Sequence, residues 1–170
     1  MRGRIAIGAV IVTGMLGTAD AGAQTARADL TDANGKRVGE ATLEQRGDGV
    51  RVAATFTGLP PGTRALHIHE VGKCEPPFES AGGHFNPTDR QHGKENAQGA
   101  HAGDLPNIQV TPNSPVKVET VARDVSLGAG KGGLLDADGS ALVVHEGADD
   151  YKSDPAGNAG KRIACGVIRR

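Results

Sequence analysis

Hydrophobic and polar residues alternate along the first half of the chain, and turn signals break the alternation at regular intervals. Residues 50–57 show it best: Val50, Val52, Ala54 and Phe56 fall on one face, and Arg51, Ala53, Thr55 and Thr57 on the other. A period of two is that of a strand with one face buried. The pattern predicts strands over 28–32, 37–46, 50–57 and 64–70, separated by Asn34-Gly35, Gly47-Asp48-Gly49 and Leu59-Pro60-Pro61-Gly62. Further strands are predicted over 107–111, 115–124, 141–145 and 163–168. Strands at roughly ten-residue spacing with turns between them read as an all-β sandwich or barrel.

Two stretches lack any such period: Val71 to about Pro106, and a second polar loop from Glu146 to Arg162. A structureless loop as long as the first points to function, and its order is expected to come from a disulfide and metal bonds rather than from hydrogen bonding. Five of the six histidines, His67, His69, His84, His92 and His101, lie within 35 residues, and His145 ends a later apolar strand. His67 and His69 stand two apart, so both leave one face of their strand while Leu66 and Ile68 leave the other. That suits a half-buried strand with two ligands on its outer face.

Imidazole nitrogen and carboxylate oxygen are ligands for copper and zinc. With Asp104, the histidines give seven ligands, too many for one tetrahedral site. Two sites sharing one imidazole, bridged through its two nitrogens, use them better. A three-histidine, one-aspartate set suits zinc, and a four-histidine set suits tetragonal copper. A blue-copper site fails on inventory, because it needs a cysteine thiolate and usually a methionine. The only methionines, Met1 and Met15, lie in an N-terminal leader, and Cys165 is far in sequence from any histidine.

That leader shapes the rest of the reading. Arg2 and Arg4 precede an apolar stretch, Ile5 to Gly17, followed by Ala19-Asp20-Ala21 and Ala21-Gly22-Ala23 as small-residue cleavage signals. Residues 1–23 therefore read as a secretory signal peptide and 24–170 as one mature domain. A retained membrane anchor is the alternative, and thirteen apolar residues are few for a membrane span. Without the leader the chain has 17 basic and 19 acidic side chains, net −2, which speaks against a nucleic-acid partner. Export makes a Cys74–Cys165 disulfide the expectation over two buried free thiols. Aromatic residues number only three Phe and one Tyr, so the core must be aliphatic, and 26 Gly with nine Pro supply turns.

Several segments then carry a family resemblance: His67-Ile68-His69-Glu70, Ser80-Ala81-Gly82-Gly83-His84-Phe85-Asn86-Pro87, His92-Gly93, His101-Ala102-Gly103-Asp104-Leu105, Val143-Val144-His145-Glu146 and Gly157-Asn158-Ala159-Gly160-Lys161-Arg162-Ile163-Ala164-Cys165-Gly166-Val167-Ile168. The chain resembles the bacterial copper/zinc superoxide dismutases over nearly all of residues 24–170. The resemblance implies an all-β fold: a Greek-key β-sandwich, or flattened eight-stranded antiparallel barrel, with two long functional loops. It implies copper held by His67, His69, His84 and His145, and zinc held by His84, His92, His101 and Asp104. His84 would bridge the metals and act with Arg162 in catalysis. Asp149 would link a copper ligand to a zinc ligand, and Cys74 and Cys165 would form the disulfide. The implied reaction is dismutation of superoxide to dioxygen and hydrogen peroxide in the periplasm, protecting the cell envelope. The protein would be a monomer or a homodimer, free of the membrane after cleavage. Two departures stand out: Glu75-Pro76-Pro77-Phe78-Glu79 is longer than the matching loop of many relatives, and Lys152, Asp154 and Lys161 replace a familiar set of steering charges. A metal store or copper carrier with the same ligands is the competing reading, and it needs neither Asp149 nor Arg162.

Overall fold

A computed structural model describes residues 24–170; the signal-peptide expectation for 1–23 lies outside the described residues. Nine strands form: β1 Thr25–Asp32, β2 Arg37–Arg46, β3 Gly49–Phe56, β4 Gly62–Arg64, β5 Leu66–His69, β6 Ile108–Val110, β7 Val116–Arg123, β8 Ala141–His145 and β9 Arg162–Val167. One turn of 3₁₀ helix, Glu79–Ala81, is the only helical element among the described residues. Seven strands make one antiparallel sheet in the order β5-β8-β9-β1-β2-β3-β7, and β4 pairs with β6 in a separate ribbon. Because β4 runs into β5 and β6 leads to β7, the ribbon joins the two edges of the sheet, which curls into a flattened half-barrel.

The expected single strand over 64–70 is two strands, which raises the count from eight to nine. The break is at Ala65, whose N–H donates to Gly147 O at 2.7 Å and whose carbonyl accepts from His145 N at 3.0 Å. Before Ala65 the chain pairs with β6, and after it with β8, so one run of residues serves two sheets. The core is aliphatic, as the composition requires. Leu30, Leu43, Val50, Val52, Leu66, Ile68, Leu142 and Val144 are fully buried in it, with Phe56 as its one large fully buried ring.

The expectation of a half-buried β5 needs correction: both of its faces are covered. Leu66 and Ile68 enter the core, while His67 and His69, 0% and 1% exposed, lie under the first loop. That loop is also hydrogen-bonded, contrary to expectation. Ile68 N donates to Gly103 O, Phe85 N to Ile68 O, and Gly103 N to Phe85 O, at 2.8–2.9 Å. The loop thus pairs with the outer edge of β5 and removes an exposed sheet edge. Gly103 makes the approach possible, since a Cβ there would overlap Ile68 O and crowd Phe85 N.

Cys74 and Cys165 are disulfide-bonded, with Cα atoms 5.6 Å apart and 91 residues apart in sequence. The bridge pins the start of the first loop onto β9. Around it lies a small separate core of Phe78, Ala81, Ala141, Val143 and Cys165. Replacing Cys74 with serine should destabilise the fold by about 4–5 kcal/mol in the chain-entropy account of such a loop. Denaturant unfolding of the two proteins measures this, and thiol titration of the unreduced parent should find no free cysteine.

Candidate metal centre

His67 pairs with Val143 and His69 with Ala141 across β5–β8. Opposite residues of a pair share a face, so His67, His69, Ala141, Val143 and His145 all stand on the side of the sheet away from the main core. The first loop adds His84, His92, His101 and Asp104, and bridges pair His69 with His84 and His67 with Asp104. All seven residues come together. One ligand atom from each of His67, His69, His84 and His145 lies within 4.8 Å of the others, and the same holds for His84, His92, His101 and Asp104. His84 belongs to both sets.

The free nitrogens can be read from the bonds the other nitrogens make. His69 Nδ1 donates to Gly82 O at 3.0 Å and His145 Nδ1 to Gly160 O at 3.1 Å. Each thereby leaves Nε2 open, and the two Nε2 atoms are 3.3 Å apart. His67 Nε2 donates to Asp149 Oδ2 at 2.8 Å, leaving Nδ1. His84 Nδ1 faces Asp104 Oδ1 at 2.8 Å, leaving Nε2. Three buried side-chain polar atoms among the described residues have no partner, and two of them are His67 Nδ1 and His84 Nε2. Orphaned buried nitrogens are costly, and a metal ion shared by these four imidazoles satisfies both.

The second set is crowded in a different way. The Nδ1 atoms of His84, His92 and His101 surround one oxygen, Asp104 Oδ1, at 2.8, 3.1 and 3.3 Å. The other oxygen accepts the backbone N–H groups of Gly93 and His101 at 2.9 and 3.0 Å. Three imidazole nitrogens converging on a carboxylate oxygen are the donor set of a tetrahedral dication.

Electrostatics agree. Burial, with the neighbouring imidazoles, pushes His69 down to about 2, His84 to about 4 and His145 to about 3. These rings are neutral at neutral pH, as ligation requires. Burial opposes ionisation of Asp104 and Asp149, but hydrogen bonds from the histidines outweigh it and hold both carboxyls well below the usual range. Burial would also lower His92, yet Asp104 and Asp149 on either side raise it to about 9. Two buried carboxylates thus favour a positive charge in the second set.

Asp149 sits between the sets with its side chain fully buried. Oδ2 accepts from His67 Nε2 and Oδ1 from His92 Nε2, the latter at 2.9 Å. The grouping of His67, His92 and Asp149 is therefore a relay of hydrogen bonds joining the two sets, not a third ion site. Arg162 is also placed at the cluster. A register shift between Val144 and His145 sets His145 opposite Arg162. Both Ile163 and Ala164 then pack against the main core, so the bulge turns Arg162 to the histidine face. Its side chain is 14% exposed, and Nη1 and Nη2 donate to Phe78 O and Gly82 O, each at 2.7 Å.

Sequence reasoning missed several supports. Asn107 holds Asp149 by a reciprocal pair, Nδ2 to Asp149 O and Asp149 N to Oδ1, each 2.9 Å. Tyr151 donates its N–H to Asp149 Oδ1 at 2.6 Å and accepts Asn107 N at its hydroxyl. Asp154, one of the residues standing in place of the familiar steering charges, accepts His92 N at 2.6 Å and so anchors the first loop to the second. Lys152 pairs with Glu95 across the same two loops. The visible signals were a lone tyrosine in a polar loop and an acidic residue before proline.

The family model for copper/zinc superoxide dismutase matches residues 37–168. The chain belongs to this family. It is 50% identical over 145 residues to a protein of Aquifex aeolicus named Superoxide dismutase [Cu-Zn] 1, covering 84% of this chain and 86% of that one. A Caulobacter vibrioides protein named Superoxide dismutase [Cu-Zn] is 41% identical, covering 85% and 86%. The solved structure of a superoxide dismutase-like protein from Bacillus subtilis superposes with a TM-score of 0.79 at 44% identity, covering 83% of this chain and 96% of that one. Copper and zinc are the metals of this superoxide dismutase, and superoxide is its substrate.

Gly157 gives this geometry its sharpest test. Its φ is +62°, and a Cβ there would overlap Asp149 Oδ1 and crowd His92 Nε2. Gly157→Ala should displace the Asp149 carboxylate, lowering both the melting temperature and the zinc retained after dialysis against a weak chelator. Calorimetry and metal analysis of the two proteins check it.

Proposed function

We propose that superoxide is dismuted at a copper held by His67, His69, His84 and His145, beside a zinc held by His84, His92, His101 and Asp104. One observation carries the assignment: His84 turns Nδ1 to Asp104 and leaves a buried, unpartnered Nε2 facing the other three histidines. A single ring serving two sets is what a shared ligand requires. Copper held there would supply one-electron redox chemistry, accepting an electron from one superoxide and returning it to the next. Over both halves, two superoxide anions and two protons become dioxygen and hydrogen peroxide.

The chain's own residues do the rest. In the half of the cycle in which it would not ligate copper, His84 Nε2 is the atom that holds a proton and passes it to the second superoxide. Asp149 fixes the ring orientations of His67 and His92 through their outer nitrogens, as carboxylates do for metal-bound histidines. Arg162 attracts the substrate. The whole chain carries net −1, so attraction of an anion must be local, and arginine stays charged at any working pH. Its neighbours place it for that task, because Gly82 O accepts both Arg162 Nη2 and His69 Nδ1. A carrier would need neither this arginine nor the buried Asp149, which favours the enzyme.

We propose a periplasmic site of action. Residues 1–23 have the pattern of a secretory signal, and disulfides such as Cys74–Cys165 persist in oxidising compartments.

Two variants test the assignment. Asp149→Asn should weaken zinc binding by roughly 10–100-fold, and an unchanged zinc titration would refute the bridging role. Arg162→Ala should retain both metals and lose at least several-fold in rate. The parent's rate should fall as ionic strength rises, and the variant's should fall less steeply. A variant with the parental rate and salt slope would reduce Arg162 to a structural tether.

A further inference from the structure

We propose that Phe78 is the positioning residue for Arg162. The inference rests on the reading of Arg162 as the anion guide. Phe78 lies in the proline-rich insertion Glu75–Glu79, which neither the metals nor the catalytic scheme uses. It is 0% exposed although its loop is largely polar, and its ring packs against Ala81, Ala141, Val143 and the Cys74–Cys165 bridge. That small core stands on the same sheet face as His67 and His69, directly beside the histidine cluster.

The backbone at Phe78 is in the left-handed region, at φ 75°. Few bulky residues adopt this conformation, and one persists only where its surroundings fix it. Here the buried ring supplies the fixing. The turn that follows presents two carbonyls to one side: Phe78 O to Arg162 Nη1 and Gly82 O to Arg162 Nη2. Phe78 O also accepts Ala81 N at 3.1 Å, which closes the helical turn between those two carbonyls. The guanidinium is therefore oriented by a pair of acceptors whose spacing depends on Phe78. Glu79, 73% exposed and 3.6 Å from Arg162 Nη2, is too solvated to set that orientation. Removing the ring frees the insertion, and Arg162 loses Phe78 O while keeping its charge.

A double-mutant cycle separates positioning from general support. Phe78→Ala, Arg162→Ala and the double variant are loaded with copper and zinc. Superoxide consumption, its ionic-strength dependence and the affinity for azide, read from copper absorption, are measured for each, with metal content and melting temperature alongside. Phe78→Ala should keep both metals, lose several-fold in rate and in azide affinity, and flatten the salt dependence. In the Arg162→Ala background the same change should cost no further rate or azide affinity. Phe78→Leu, which keeps an apolar anchor, should recover most of both. If Phe78→Ala does not fold, Phe78→Leu and Phe78→Val carry the cycle, with the larger loss expected for valine. Equal losses in both backgrounds, or a lowered melting temperature with parental rate and azide affinity, overturn the inference about Phe78 alone. An Arg162→Ala variant indistinguishable from the parent takes down the reading of Arg162 as well.

Discussion

The carboxylate of Asp149 is the charge on which the rest of the centre depends. It is buried, and a buried charge is tolerated only when its oxygens are fully engaged. Three segments engage it: β5 through His67, the first loop through His92, and the second loop through the N–H of Tyr151. Losing any one would leave an ion partly unpaired away from water. The three segments are therefore held in one arrangement, and the backbone around the ion is shaped to it. Asn107 grips the main chain of Asp149 from below, and Gly157 leaves room where any side chain would intrude.

Strands and loops divide the remaining work. His67, His69 and His145 stand on β5 and β8, which are covered on both faces and so move little. Their outer nitrogens are committed to a carboxylate or a carbonyl, which fixes the face each ring turns to the cluster. His92, His101 and Asp104 come from the first loop, and the convergence of three imidazole nitrogens on one carboxylate oxygen is of the kind a cation completes. Three histidines of the cluster thus stand on strands, while His84, shared by both sets, comes with the rest from the first loop.

Much of this was legible in the sequence, for identifiable reasons. Alternation in β2 and β3 survives because only one face of each is buried. The cluster was legible because five of the six histidines lie close together in sequence and the sixth ends an apolar strand, and the fold brings all six together with Asp104. The register shift in β9 was not legible. Strict alternation from Cys165 would have turned Arg162 to the core side, and neither Ile163 nor Ala164 announces a bulge. The division of 64–70 at Ala65 was hidden because its cause is the carbonyl of Gly147, far along the chain. The burial of β5 was underestimated because the cover comes from a loop without any period. Phe78 was visible as an apolar residue in polar surroundings, but its partners lie on β8 and β9, which only the fold brings near.

The position of β9 has a consequence for how the molecule comes into being. It lies between β8 and β1, near the middle of the seven-stranded sheet, and it carries both Cys165 and Arg162. β1 and β9, neighbours in the sheet, are thus more than a hundred residues apart in sequence, a pairing that is slow because loop closure costs entropy before the contacts form. A chain in which β9 has not yet been made has a gap where it belongs and no partner for Cys74. Closing the sheet therefore waits on β9, and without it the chain has neither a closed sheet nor a finished centre.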